Sequence, residues 1–451
     1  MSIETNLYHS GHFDRSQPVA SYWAATAGPE PADIAPLTTD REVEVAIIGG
    51  GYTGLSAAYH LARLHGVEAL VLEAGPIGWG ASGRNGGFCI PGGARQGYAK
   101  LAQRYGLEEA KSLFDAQKAA AALVRELARE EAIDIEATGR GEYLVAHKSS
   151  RWHELENRAA EVQRLFGERW ALWRKREMEE RLLRSPQAQG CLVIPHAFGL
   201  HPLRYVRGLA AAATRRGATV CPETPVTAWQ TSAGRHVLTT PGGTVRARRL
   251  LVATNGYTPE GLNPSLRGRI LPALSSILVT RPLRPEELAA QGWTEPALVA
   301  DTRSLLFYIR LLRDRRLLFG ARGGLDASPS VFSARRAWME RRLGDWFPAW
   351  KGVEIEFAWW GLVALASDSV AHLGWLDEER SALAAMAYHG SGVATATLFG
   401  RAAAARLAGQ EPDPPLPRFL QTPPPVFPMP GLRLQALRLA YAAHALKDEW
   451  L

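Results

Sequence analysis

A chain of 451 residues is too long for one compact core and fits two domains. The formal net charge of +7 comes from 52 basic and 45 acidic residues mixed along the chain, with no aromatic-studded basic stripe, so no nucleic-acid partner is expected. No apolar run reaches the roughly 18 residues of a membrane span, and the N-terminus carries Asp, Glu, His and Arg where a signal peptide has its apolar core. The distant cysteines Cys89, Cys191 and Cys221 have no metal-ligand spacing, and a cytoplasmic, reduced setting is expected.

Residues 1–40 hold Pro18, Pro29, Pro31 and Pro36 with little periodicity and read as an arm laid over the surface, pinned by Tyr22 and Trp23. Val45, Ile47 and Ile48 then form a short buried strand that runs directly into Gly49-Gly50-Gly51-Tyr52-Thr53-Gly54. In a dinucleotide fingerprint, Gly49 permits the tight turn, Gly51 admits a pyrophosphate and Gly54 allows close helix packing. The pyrophosphate sits on the open N–H groups of the helix start. Leu55, Ala58, Tyr59, Leu61 and Ala62 give that helix its face, and Val71 and Leu72 begin a second strand that ends at Glu73-Ala74. Glu73 stands about 20 residues past the last glycine, where an acid hydrogen-bonds a ribose hydroxyl.

The next stretch, Gly75 to Gly87, is too rich in glycine for a simple crossover helix and begins at the carboxyl end of the second strand, so it should lie against the ligand. Here the chain resembles the FAD-dependent amine and amino-acid oxidoreductases of the D-amino-acid oxidase class. Within that class, Ser21 to Ala27, Gly50 to Ser56 and Gly78 to Gly87 are most similar to the gamma-glutamylputrescine oxidoreductase group. The resemblance implies an α/β protein: a Rossmann-like FAD-binding domain interleaved with an α+β substrate domain whose sheet is mostly antiparallel and roofs the flavin. It implies that Trp79, Gly80, Ala81, Ser82, Arg84, Asn85, Gly86 and Gly87 wrap the cofactor.

Farther along, residues 96–131 and 150–183 show helical spacing around a strand at Glu142 to Ala146. A helix starting at Pro202 leads into a parallel strand at Ala218 to Cys221, followed by a hairpin-like cover through Val226 and His236 to Thr240. Arg249 to Val252 returns a buried strand to the turn Ala253-Thr254-Asn255-Gly256-Tyr257, expected beside the cofactor. Leu271 to Thr280, Ser304 to Leu312 and Arg316 to Gly320 are strand-like, and Ala334 to Phe347 reads as a helix. The roof implied by the resemblance makes Tyr308, Arg310 and Arg322 candidates for the substrate chamber. Phe357 to Gly361 opens the last core segment. A strand at Ala382 to Tyr388 then breaks at His389-Gly390-Ser391-Gly392, and a helix begins at Val393. The family sets that helix end against the flavin's pyrimidine edge, where its positive pole stabilises negative charge. Nine prolines between residues 411 and 430 make a stiff linker. Leu434, Leu437, Tyr441, Ala445 and Leu446 give the closing helix a face expected to dock on the body or on a second subunit, with a membrane surface as the alternative.

The expected domains are therefore an arm at 1–40, FAD-binding segments at 41–105, 196–265 and 355–410, substrate-domain segments at 106–195 and 266–354, and a Pro-rich linker and helix at 411–451. The inferred reaction takes hydride from a carbon beside an amine nitrogen, and water hydrolyses the resulting imine to a carbonyl compound. Tyr257, Tyr308 and Trp360 would wall an apolar chamber that favours the neutral amine. His389 is the candidate proton acceptor or polar contact, and Arg322 the partner of a substrate carboxylate. Covalent attachment in relatives uses Cys or His. Asn85 and Gly361 offer neither, so FAD is expected to be non-covalent. The strand Arg316 to Gly320 has no lysine of the kind some oxidases of the class use toward oxygen, which leaves O2 or another carrier as electron acceptor. A gamma-glutamylated polyamine leads the substrate classes. The alternatives are a cyclic or N-alkylated amino acid such as pipecolate, proline or sarcosine, and a dinucleotide-binding platform without turnover.

Overall fold

The computed structural model describes residues 10–450. The strand Arg41–Ile48 is flanked in parallel by Ala69–Leu72 and Gly243–Val252, and these by Thr219–Cys221 and Ala382–Met386. His372–Trp375 closes the far edge antiparallel to Ala382–Met386. Strands with both faces covered lack alternation, and Ala69–Leu72 and Ala382–Met386 are accordingly apolar and buried throughout. The helix Tyr52–His65 crosses from the first strand to the second and ends at Gly66 in the left-handed conformation. It packs against the helices Gly392–Leu407 and Pro202–Arg215. The hairpin Ala228–Ser232 and Arg235–Thr240 extends the outer half of Gly243–Val252.

A second sheet of eight strands runs, in order, Ile355–Leu365, Leu271–Thr280, Leu317–Arg322, Phe307–Leu311, Leu298–Asp301, Glu142–Val145, Gly190–Ile194 and Leu172–Arg174. All its pairings are antiparallel except that of Leu298–Asp301 with Glu142–Val145. Its outer face rests on a separate core containing Trp293, Phe307, Phe319, Trp346, Phe347 and Trp350.

Two expectations about segment membership are corrected. Ile355–Leu365, expected to begin the third nucleotide-domain segment, pairs along its length with Leu271–Thr280 in the second sheet. The ten-residue strand Leu271–Thr280 gives it hydrogen-bond partners along nearly its whole length, more than the five-residue nucleotide-sheet strand Ala382–Met386 could supply. Leu107–Glu130, expected in the substrate domain, lies on the helix Gly392–Leu407, with Leu113, Leu123, Val124 and Leu127 in the nucleotide-domain core.

The arm is held by burial. Trp23 is 1% exposed, its indole N–H donates to the Asn85 carbonyl at 2.9 Å, and the Tyr22 hydroxyl donates to Asp314 at 2.9 Å. The closing helix Arg433–Trp450 docks on the body. Leu437 packs with Leu271 and Ala273, Arg433 pairs with the buried Glu260, and Asp448 accepts from the Ser304 and Leu305 amides at 2.9 Å each. Ala445 and Leu446 face solvent, so the helix docks along a narrower stripe than its sequence suggests. No helix among the described residues is long and apolar enough to cross a membrane. Trp23→Ala should destabilise the protein by about 3–5 kcal/mol, the range of buried Trp truncations, read as a lower urea midpoint for unfolding.

Candidate functional site

A cavity of about 700 Å³ extends from the fingerprint turn to the inner face of the second sheet. At its nucleotide end, Gly49 has φ +110°, and a Cβ there would meet the Ala253 carbonyl oxygen at 2.8 Å. A Cβ on Gly54 would stand 2.0 Å from the Gly49 carbonyl oxygen, so the helix can begin this close to the strand only with glycine at both positions. The helix has Gly51 at its N-cap, which offers no side-chain acceptor, and its first-turn N–H groups have no intrahelical partners. The Ser82 hydroxyl takes the Tyr52 amide at 3.0 Å.

Glu73 ends the second strand at the cavity wall, where its carboxylate accepts from the Gly50 amide at 2.6 Å and the Gly75 amide at 3.0 Å. Burial raises its pKa against those hydrogen bonds. Asn85 locks the glycine-rich loop: its amide nitrogen donates to the Ala81 and Ser82 carbonyls, and its oxygen accepts from the Gly87 amide at 2.8 Å. Arg84 lies over the Trp79 ring at 4.3 Å and donates to the Trp79 carbonyl. The Trp79 indole N–H is buried without a hydrogen-bond partner in a wall of this cavity, as expected of a donor completed by a bound ligand.

At the second junction the chain passes through positive φ at Ala387, His389 and Gly390 before the helix Gly392–Leu407. A Cβ on Gly390 would stand 2.2 Å from the Arg322 guanidinium, which donates to the His389 carbonyl at 2.8 Å. The turn thus brings a helix start and a half-buried cation to one wall. Burial and the neighbouring Arg95 hold the Arg322 pKa down to about 10, so it stays charged near neutrality. Nearby, Tyr308 shares a hydrogen bond with the Ser275 hydroxyl at 2.8 Å, and burial pushes its phenol up to about 12.

Among the expected cofactor residues, Gly49, Gly51, Tyr52, Thr53, Glu73, Ala74, Trp79, Gly80, Ala81, Ser82, Arg84, Asn85, Gly86, Val226, Ala253, Thr254, Asn255, Gly361, Gly390, Gly392 and Val393 line the cavity, as do Tyr257, Tyr308 and Arg322. Seven expected residues do not. Gly54 packs under the turn, Gly87 fits against the Leu200 carbonyl and Arg310, and Gly256 backs onto Leu362. The Ser391 hydroxyl donates to the Tyr388 carbonyl at 3.2 Å. Trp360 precedes the cavity-lining Gly361 on a strand, where successive side chains take opposite faces; its ring lies against His12 and Arg84.

His389 is the sharpest correction: its ring Nε2 lies 3.1 Å from the Val370 carbonyl oxygen, and burial lowers its pKa to about 4. The left-handed backbone at this residue sends the ring into the core, leaving its carbonyl for Arg322. Arg310 is likewise structural, its guanidinium donating to the Gly86, Gly87 and Leu200 carbonyls at 2.8–3.0 Å. Sequence reading missed Phe13, Arg15, Glu142, Ser275, Leu306 and Tyr388 in the lining. Only Glu142, a charge at the head of an otherwise apolar strand, carried a signal in sequence.

Two glycine turns at helix starts, an acid-tipped second strand and a roofing antiparallel sheet define a flavin-dinucleotide oxidoreductase fold. The chain belongs to the family described as FAD dependent oxidoreductase, whose model matches residues 44–406. It is 31% identical over 447 residues to the gamma-glutamylputrescine oxidoreductase of Escherichia coli strain K12, covering 95% of this chain and 98% of that protein. Among solved structures, glycine oxidase from Geobacillus kaustophilus matches with a TM-score of 0.68 at 23% identity, covering 82% of this chain and 95% of that one. L-proline dehydrogenase from P. horikoshii matches at 0.66 and 19%, covering 83% and 95%. The protein is an FAD-dependent oxidoreductase. The open amides at the fingerprint helix, the Glu73 carboxylate and the unpartnered Trp79 N–H fit FAD; when bound, it supplies a two-electron acceptor.

Glu142 titrates against the fold. Burial raises its carboxyl from 4.5 to about 7, opposed by Arg158 and Arg322. Between these values the folded chain holds the proton that the unfolded chain releases, so this group's stabilising contribution is present below pH 4.5 and lost as pH rises through about 7. Glu142→Gln should remove that loss: the melting temperature of the variant relative to the parent should rise between pH 5 and pH 8.

Proposed function

We propose that this enzyme oxidises a carbon–nitrogen bond of a small amine or amino acid, with gamma-glutamylated amines as the leading substrate class. Hydride leaves the carbon beside nitrogen with both bonding electrons for FAD, and the nitrogen sheds a proton, leaving an imine. Water then adds to the imine and releases the nitrogen, forming the carbonyl compound. The observation that carries this reading is one cavity continuous from the fingerprint turn to a chamber bounded by Tyr257, Tyr308, Ser275, Glu142 and Arg322. Buried aromatic walls favour the neutral amine that can give up hydride, and a charged guanidinium matches a carboxylate.

The similarity to a gamma-glutamylputrescine oxidoreductase over nearly the whole chain supports the substrate class. The half-buried Arg322 equally suits the carboxylate of a cyclic or N-alkylated amino acid, the second reading. Non-covalent FAD is proposed because all three cysteines are buried and outside the cavity lining, and the His389 ring is turned into the core.

Anaerobic mixing of the yellow protein with polyamines, gamma-glutamyl amines and cyclic amino acids should bleach the flavin band with at least one gamma-glutamyl amine. Arg322→Ala should weaken that half-reaction's apparent affinity by about tenfold or more, whereas bleaching by cyclic amino acids alone would establish the second reading. A repeat in air separates oxidase from dehydrogenase. Acid precipitation should release all yellow colour into the supernatant; colour in the pellet would mean covalent attachment.

A further inference from the structure

We propose that Glu142 is the residue that binds the ammonium group of the substrate, making the cavity selective for molecules that carry a cationic amine together with the carboxylate held by Arg322. This rests on the amine-oxidation reading above and sharpens it: the chamber recognises two opposite charges on one molecule.

Glu142 is 8% exposed, lines the cavity, and its carboxylate has no hydrogen-bond or ion-pair partner among the described residues. The other charged groups of known partnership in the wall are committed. Glu73 accepts two backbone amides, Arg84 donates to the Trp79 carbonyl, and Arg322 donates to the His389 carbonyl. A buried carboxylate left unpaired is costly and is expected to be neutralised by a proton or matched by a cation.

The groups that act on Glu142 electrostatically are Arg158, from the helix Trp152–Phe166, and Arg322, at the end of Leu317–Arg322, three places along the same sheet. Arg158 lies against the Trp170 ring, and among the described residues neither arginine forms an ion pair with Glu142. The strand Glu142–Val145 pairs with Leu298–Asp301, whose Ala300 also lines the cavity and pairs with Tyr308. The sheet register therefore sets the free carboxylate, the Tyr308 phenol and the Arg322 guanidinium along one concave wall. Arg95 and Arg335 reinforce the positive end, since Arg95 acts electrostatically on Arg322 and the Arg335 guanidinium donates to the Arg322 carbonyl at 2.6 Å. The ammonium bound at Glu142 keeps its charge, because a carboxylate neighbour favours the charged form, and it is therefore a second amine of the substrate, while the amine that gives up hydride lies neutral against the aromatic walls.

The test compares the FAD-loaded parent with Glu142→Gln and Glu142→Asp, using gamma-glutamylputrescine in the anaerobic half-reaction and propylammonium chloride in thermal melts. At pH 8, Glu142→Gln should raise the apparent Kd for gamma-glutamylputrescine by about tenfold or more, with the limiting rate of flavin bleaching nearly unchanged. Glu142→Asp should recover part of the loss. In the parent, Kd should rise as pH falls below about 7, and this acid limb should vanish in Glu142→Gln. Propylammonium should raise the melting temperature of the parent and not of Glu142→Gln. An intact flavin spectrum with unchanged Kd and an unchanged propylammonium shift would overturn the assignment. So would a fall confined to the limiting rate, which would move Glu142 from binding to the chemical step. If no compound bleaches the parent, the functional reading fails, and the propylammonium shift alone decides the role of Glu142.

Discussion

The structure depends on how closely one helix approaches the strand that precedes it. The Gly49 carbonyl oxygen occupies the space that a Cβ on Gly54 would need, and the Ala253 carbonyl oxygen would stand 2.8 Å from a Cβ on Gly49. Hydrogen at these positions lets Tyr52–His65 start directly beneath the sheet edge, with its positive end toward the cavity. Glu73 is fixed in the same arrangement through the Gly50 amide. A larger residue at either glycine would displace the helix start, and with it the cradle for a pyrophosphate and the acid suited to a ribose.

The two domains are joined at the flavin loop by a buried cation. Arg310 projects from the substrate sheet, and its guanidinium donates to three carbonyls, two of them in the loop. Among the described residues no carboxylate forms an ion pair with it; burial lowers its pKa to about 10, opposed by Tyr22 and Glu136 at a distance, and carbonyl dipoles supply the main compensation. Beside it, the Tyr308 ring occupies space left by glycine at positions 86 and 320. The loop that wraps the cofactor is therefore also the loop that positions the chamber wall, so cofactor and substrate geometry are set by the same contacts.

The chamber's charge layout follows from that packing. Arg322 reaches the second glycine junction and is held by the His389 carbonyl, while the Glu142 carboxylate, farther along the same sheet, has no partner among the described residues. The closing helix adds Tyr441 beside Arg95, Arg322 and Arg335, and the arm adds Phe13 and Arg15 to the lining. Segments from both ends of the chain thereby finish a site whose frame is built by its middle.

The glycine fingerprint, Glu73, the loop around Asn85 and the second junction at Gly390 to Val393 were legible in sequence, because each depends on local backbone geometry that only certain residues adopt. The buried ends of two strands, Val45 to Ile48 and Leu250 to Val252, were legible for the same local reason, since short apolar runs mark strands covered on both faces, whereas the arginine-bearing first half of Gly243–Val252 was not read as strand. The assignment of Ile355–Leu365 to the second sheet, the retirement of His389 and Arg310 from the chamber, and the exposure of Glu142 to it were decided only by the tertiary structure. Which sheet a strand joins, and which way a side chain turns from it, depends on partners hundreds of residues away. A single strand's pattern records that it has two faces, and the fold decides which of them meets the cavity.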